Sequence, residues 1–187
     1  MKIINEFEVS RSVDTVWDFF EDITSVAQCL PGATITDDKG GGVYAGNVTV
    51  KLGPMSAKFD GEATIKSDAE TKSAQISGKG IDRSGGSAGK VEVEYRLSAT
   101  ESGTIVTVDA DVTLSGTAAR FGRSSLINEM STRLIAEFVE CLEKKLGATT
   151  PEIAASVTAG EVKGVSLFFS SLWTSIVDFF KNLFRRG

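Results

Sequence analysis

The chain has 187 residues, 41% apolar and 24% charged, enough for a folded core and one domain with an appendage. It contains no histidine, which excludes Ser-His-Asp and Cys-His relays and histidine-ligated metals. The net charge of −5, with no basic cluster, argues against a nucleic-acid partner.

Lys2 to Val9 alternates and reads as a strand. Ser12 can cap a helix at Val13, in which Val13, Val16, Trp17 and Phe20 recur at helical spacing. A second short helix, Ile23 to Gln28, stops before Pro31-Gly32. From Ala33 to Ser115, turn signals fall at Asp37 to Gly42, Gly53-Pro54, Ala69 to Thr71, Ser84 to Gly89 and Ser102-Gly103. Between them, Tyr44, Gly46, Val48, Val50 and Leu52 share one face, as do Met55, Ala57, Phe59, Gly61, Ala63 and Ile65. Val91, Val93, Tyr95 and Leu97 alternate with Glu92, Glu94 and Arg96; Val106, Val108, Ala110, Val112 and Leu114 alternate with Asp109 and Asp111. This is the pattern of an antiparallel meander with one buried face. Arg120 to Leu146 changes to a helical period, with Ile127, Met130, Leu134, Phe138, Cys141 and Leu142 on one stripe.

The order predicts an α+β fold, a curved antiparallel sheet gripping a long C-terminal helix. Inward glycines (Gly46, Gly61, Gly78, Gly80) suit sharp bending and leave room between sheet and helix. Residues 148–164 are small and polar and read as a flexible linker between a body, residues 1–147, and a tail, residues 165–187. No secretory signal is read at the N-terminus.

The tail holds Lys181, Arg185 and Arg186 against Asp178, and five of the 11 Phe. At about 100° per residue, Phe168, Phe169, Leu172, Trp173, Ile176, Phe179, Phe180, Leu183 and Phe184 fall within half the circumference, with the polar residues opposite. Asp178 and Lys181 count against a span, since a charge at mid-bilayer costs about 2.5–3.5 kcal/mol. Folding back on the body is a second reading. A helix lying in the membrane surface fits best: one aromatic face, with Lys181, Arg185 and Arg186 for anionic headgroups.

No catalytic constellation emerges. Gly78 to Lys90 is glycine-rich but lacks the P-loop spacing and reads as a hairpin loop. If the following hairpin turns at Ser102-Gly103, Arg96 falls opposite Asp109, an ion pair rather than a paired-carboxylate site. Cys29 and Cys141 fit no CxxC pattern and are expected to be buried and unbridged in a reducing compartment. Cys29 lacks a base and sits near a helix C-terminus, so it is a poor nucleophile. Arg120 and Arg123 are either surface charges or contacts to a ligand's polar head.

What remains is a chamber. Tyr44, Val48, Met55, Phe59, Val93, Tyr95, Leu97 and Val108 face Ile127, Met130, Leu134 and Phe138 across it, with Phe20, Leu30, Val112 and Phe121 completing the lining. So apolar a wall suits binding an apolar molecule and poorly suits turnover. The alternative is a filled core without a cavity. Tyr44 and Tyr95 supply the few hydroxyls, and no metal ligands are expected.

Ser-Val-Asp-Thr-Val-Trp-Asp-Phe-Phe (12–20), Cys-Leu-Pro-Gly-Ala (29–33) and Phe-Gly-Arg (121–123) resemble the CoxG family of carbon monoxide dehydrogenase subunits, within the START-like (SRPBCC) helix-grip superfamily. The resemblance covers residues 1 to about 147. It implies a helix-grip fold with an apolar cavity and an accessory role, linking a cytoplasmic molybdenum-containing CO dehydrogenase to the inner face of the membrane. It carries over no catalytic residues. Joined to the chamber and the tail, it leads to the expectation of a peripheral membrane protein that takes a respiratory quinone (menaquinone or ubiquinone) as cargo rather than cofactor, in support of electron transfer. The alternatives are a recruitment scaffold that carries nothing, and a START-like cyclase or hydrolase.

Overall fold

The computed structural model describes residues 1–52, 55–121, 124–148 and 151–159, without the side chains of residues 51, 52, 55, 121, 124–128, 151 and 152. Strand β1 (Lys2–Val9) leads into helices α1 (Val13–Glu21) and α2 (Ile23–Cys29). Six strands follow: β2 (Ala33–Gly40), β3 (Val43–Leu52), β4 (Met55–Asp68), β5 (Ser73–Asp82), β6 (Ser87–Ala99) and β7 (Thr104–Gly116). A 3₁₀ turn (Thr117–Phe121), helix α3 (Ser124–Gly147) and the short α4 (Pro151–Ser156) complete the described chain.

The seven strands form one antiparallel sheet in the order β1-β7-β6-β5-β4-β3-β2. Strand 1 thus pairs with strand 7, and the intervening hairpins run outward to β2. That edge is broken by register shifts at Ile35/Asp37 and Asp38/Gly40, which blunt it against further pairing.

The helices form where local chemistry starts and stops them. The Thr15 amide donates to Ser12 Oγ (3.3 Å), and the Ser25 amide donates to Asp22 Oδ1 (3.1 Å). Both are N-cap bonds, and Asp22 both ends α1 and starts α2. The buried face of α1 presents Val16, Trp17, Phe19 and Phe20 to the sheet. Phe138 of α3 meets the rings of Phe7, Phe19 and Phe20 at 6.1, 6.4 and 5.9 Å between centroids. Phe20 lies 4.9 Å from the Tyr95 ring. These contacts fill one end of the concave face, together with Val9, Leu97, Val106 and Leu142.

Three expectations are corrected. Cys29 and Cys141 are buried but bonded to each other in a disulfide with a Cα separation of 5.4 Å; the fold brings α2 against α3, which linear spacing does not reveal. The β6–β7 hairpin turns around Glu101-Ser102, closed by the Thr100 amide donating to the Gly103 carbonyl (2.8 Å). Arg96 therefore stands opposite Thr107, and Asp109 opposite Glu94; the ion pair of Asp109 is with Lys2 (2.9 Å). Finally, part of the stretch expected to be linker is built. After α4, Val157 packs against the core and the Ala159 amide donates to the Gln28 carbonyl (2.9 Å). Residues 149, 150 and 160–187, which include the rest of that stretch and the whole expected membrane helix from Phe168 through Trp173 to Arg186, lie outside the described residues.

Candidate ligand-binding trough

The concave face divides into a closed end and an open end. Phe20, Tyr95, Leu97 and Phe138 are buried at the closed end, with Leu30 and Val108 packed against them. These expected lining residues are mainly core. Tyr44, Phe59, Val93, Val112 and Met130 are only half-buried. Val48 is 43% exposed and Leu134 41%. Leu134 lies one turn before buried Phe138 on the same stripe of α3, so the stripe is sealed at Phe138 and open at Leu134. The backbones of Met55, Phe121 and Ile127 belong to β4, the 3₁₀ turn and α3, while their side chains lie outside the described set, as does Arg123. Arg120 is exposed.

Strand register explains why the described side chains leave the open end unfilled. Gly46 stands opposite Gly61, Gly61 opposite Gly80, and Gly80 opposite Gly89. A line of glycines thus crosses four adjacent strands. A Cβ on Gly61 would stand 1.9 Å from the Lys79 carbonyl oxygen, and one on Gly46 2.4 Å from that of Thr34. There the strands approach too closely for any side chain, and the sheet bends. At Gly89 the neighbours of such a Cβ are the Phe59 ring (3.7 Å) and Leu114 (3.5 Å). Phe59 therefore reaches over the far part of the line. Val91 and Leu114 share this face and are half-buried; alternation places them there, but only the cross-strand register brings them beside Phe59 and Gly89.

The trough carries little polarity. Burial, then the nearby Glu21 carboxylate, raises the Tyr95 phenol well above its usual range, so it stays a neutral donor. Asp82 is buried but belongs to the β5–β6 turn, where it accepts from the Ser84 and Gly85 amides (3.0 and 2.9 Å) and the Ser84 hydroxyl (2.7 Å). The glycine-rich run Gly78 to Lys90 is thus a hairpin, as expected. A separate cavity of about 300 Å³ lies on another flank of α3, against residues 157–159. Among the described residues no group of three or more metal-binding side chains gathers, and no helix is long and apolar enough to cross a membrane.

A curved antiparallel sheet with helices closing one end of its concave face is the START-like, helix-grip fold. Solved structures of that shape are similar to this chain. A conserved protein from Geobacillus kaustophilus superposes with a TM-score of 0.69 at 16% identity, covering 79% of this chain and 95% of its own. The Zhui aromatase/cyclase from Streptomyces sp. R1128 gives 0.54 at 12% identity, covering 79% and 93%. Protein Ms6760 from Mycobacterium smegmatis gives 0.54 at 18% identity, covering 80% and 92%. At these identities the likeness establishes the fold alone. No curated protein matches the sequence. Residues 6–147 match the CoxG family of carbon monoxide dehydrogenase subunits, and the chain belongs to it.

Proposed function

We propose that this protein is a non-catalytic accessory of a CO dehydrogenase that holds an apolar, lipid-like molecule in the open trough, and that the molecule is a respiratory quinone with an isoprenoid tail. The observation that carries this reading is the half-exposed apolar wall of Val48, Phe59, Val93, Val112, Met130 and Leu134. Each such side chain left in water forgoes part of the roughly 1.5–3 kcal/mol that full burial returns. An isoprenoid tail laid there recovers that stabilisation. Family membership supports the dehydrogenase as partner. The sequence of residues 165–187 carries the aromatic and cationic pattern of a helix that would rest on the membrane where such quinones reside.

The test fills the trough. Val93→Trp, and separately Met130→Trp, should abolish quinone uptake from menaquinone-loaded vesicles while vesicle recruitment stays unchanged. Uptake equal to that of the unaltered protein in both variants would remove the trough as the site. The closed core around Phe138 favours one other reading, a recruitment scaffold that carries nothing; under it both variants would support CO-dependent quinone reduction at the unaltered rate.

A further inference from the structure

The disulfide lies beneath the segment that leads to the tail. Cys29 is the last residue of α2, and its neighbour Gln28 holds two groups from elsewhere. The Gln28 carbonyl accepts the Ala159 amide at 2.9 Å, and its side-chain oxygen accepts from Lys145 Nζ at 2.6 Å. The same ammonium donates to the Ala154 carbonyl at 3.0 Å. Lys145 is one helical turn after Cys141, and it is buried, at 6% exposure. Residues 151–159 therefore form a strap seated on the seam between α2 and α3, and the disulfide fixes that seam immediately below it.

The seam is approached from one side. The cavity of about 300 Å³ is lined by Cys141 together with Val157, Thr158 and Ala159 of the strap, and by Arg133, Glu137, Glu140 and Lys144. Cys29 is fully buried and does not line it. Arg133 pairs with Glu137 (2.8 Å) and Lys144 with Glu140 (2.9 Å), so the rim carries no net charge to repel a thiolate. The cavity thus connects solvent to one sulfur-bearing residue of the pair, with the strap as one of its walls.

We propose that Cys29–Cys141 is a reducible latch, opened by a small thiol that enters this cavity, and that its opening releases the strap of residues 151–159 from the α2–α3 seam. A thiolate of the reductant attacks Cys141 Sγ; the sulfur–sulfur bond breaks, and Cys29 leaves as a thiolate that takes a proton from water. A second thiolate of the reductant attacks the mixed disulfide, releasing Cys141, which is protonated in turn. Two electrons pass from two reductant thiols to the protein, and the reductant departs as its own disulfide. Two thiols in contact need more room than two bonded sulfurs. Cleavage removes the covalent tie that holds α2 against α3, and the pair of bonds centred on Gln28 spans that seam.

Hydrogen exchange on the full-length protein, air-oxidised and then treated with dithiothreitol, tests this. Reduction, scored by alkylation of both cysteines, should speed exchange of the Ala159 amide at least tenfold and leave it exchanging at least a hundredfold faster than the β6–β7 amides. Thr158→Trp, which fills the cavity, should slow reduction by dithiothreitol at least tenfold without altering exchange in the oxidised protein. Ala159 exchange unchanged within twofold would overturn the latch. So would exchange of Ala159 no faster than that of the β6–β7 amides after reduction, which would make its exposure a consequence of unfolding of the whole fold. Reduction of Thr158→Trp at the unaltered rate would overturn the cavity as the route.

Discussion

Gly61 and Gly89 occupy the same line across the sheet, yet their surroundings differ in kind. A methyl at Gly61 meets backbone at 1.9 Å, and the nearest alternative is the Gly80 Cα at 2.7 Å. Backbone cannot rotate away as a side chain can, so Gly61→Ala should cost about 2–4 kcal/mol. At Gly89 the added methyl meets Leu114 and Phe59 side chains at ordinary contact distance. Gly89→Ala should then lie within about 0.5 kcal/mol of neutral, since a strand glycine is costly in entropy. Urea unfolding of the two variants separates them. Asp82 makes the second residue-scale prediction. The Ser84 hydroxyl and the Gly85 and Ser84 amides all bond its carboxylate, and its pKa is lowered. A carboxyl depressed in the folded state stabilises above its unfolded pKa, near 3.8, and that contribution is lost as pH falls through the folded value. Unfolding midpoints measured from pH 6 to pH 2 should fall, and Asp82→Asn should make the fall shallower. The sequence shows the glycines and their inward parity; it does not show that four of them align, because alignment depends on three independent hairpin registers.

At the level of elements, the strands were readable because alternation is local. Val91-Val93-Tyr95-Leu97 needs no partner to declare its face. Pairing was less readable. Ser102-Gly103 and Glu101-Ser102 are both plausible turn centres, and the difference of one residue moves Arg96 from Asp109 to Thr107. The first half of the expected linker escaped for another reason. The six residues of α4 are too few to show a period, and what holds the segment that follows is an amide bond to Gln28, far away in sequence. The disulfide was invisible on the same grounds, since its cysteines are 112 residues apart. Loop-closure entropy at that separation is worth about 5 kcal/mol, and disulfides typically deliver about 2–4 kcal/mol. Guanidinium unfolding with and without reductant should therefore differ by that amount, and equal midpoints would show that the oxidised and reduced folds are of equal stability.

For the molecule as a whole, the sheet is longer than the core that its helices build. One end is sealed by five aromatic rings, those of Phe7, Phe19, Phe20, Tyr95 and Phe138. The other is left apolar, glycine-floored and half-exposed. A filled core along its full length would have needed larger residues where Gly46, Gly61, Gly80 and Gly89 stand, and the backbone spacing forbids them at two of these. Family membership and this open end together support a carrier of an apolar molecule that works beside a dehydrogenase. Among the described residues the concave face carries few charged side chains, which is the ground for the holding role proposed above. The most direct measurement is solvent extraction and mass spectrometry of the full-length protein purified from a quinone-producing host. The account predicts an isoprenoid quinone at close to one per chain, retained when residues 165–187 are deleted. Absence of quinone, together with failure to take any up from quinone-loaded vesicles, would contradict it.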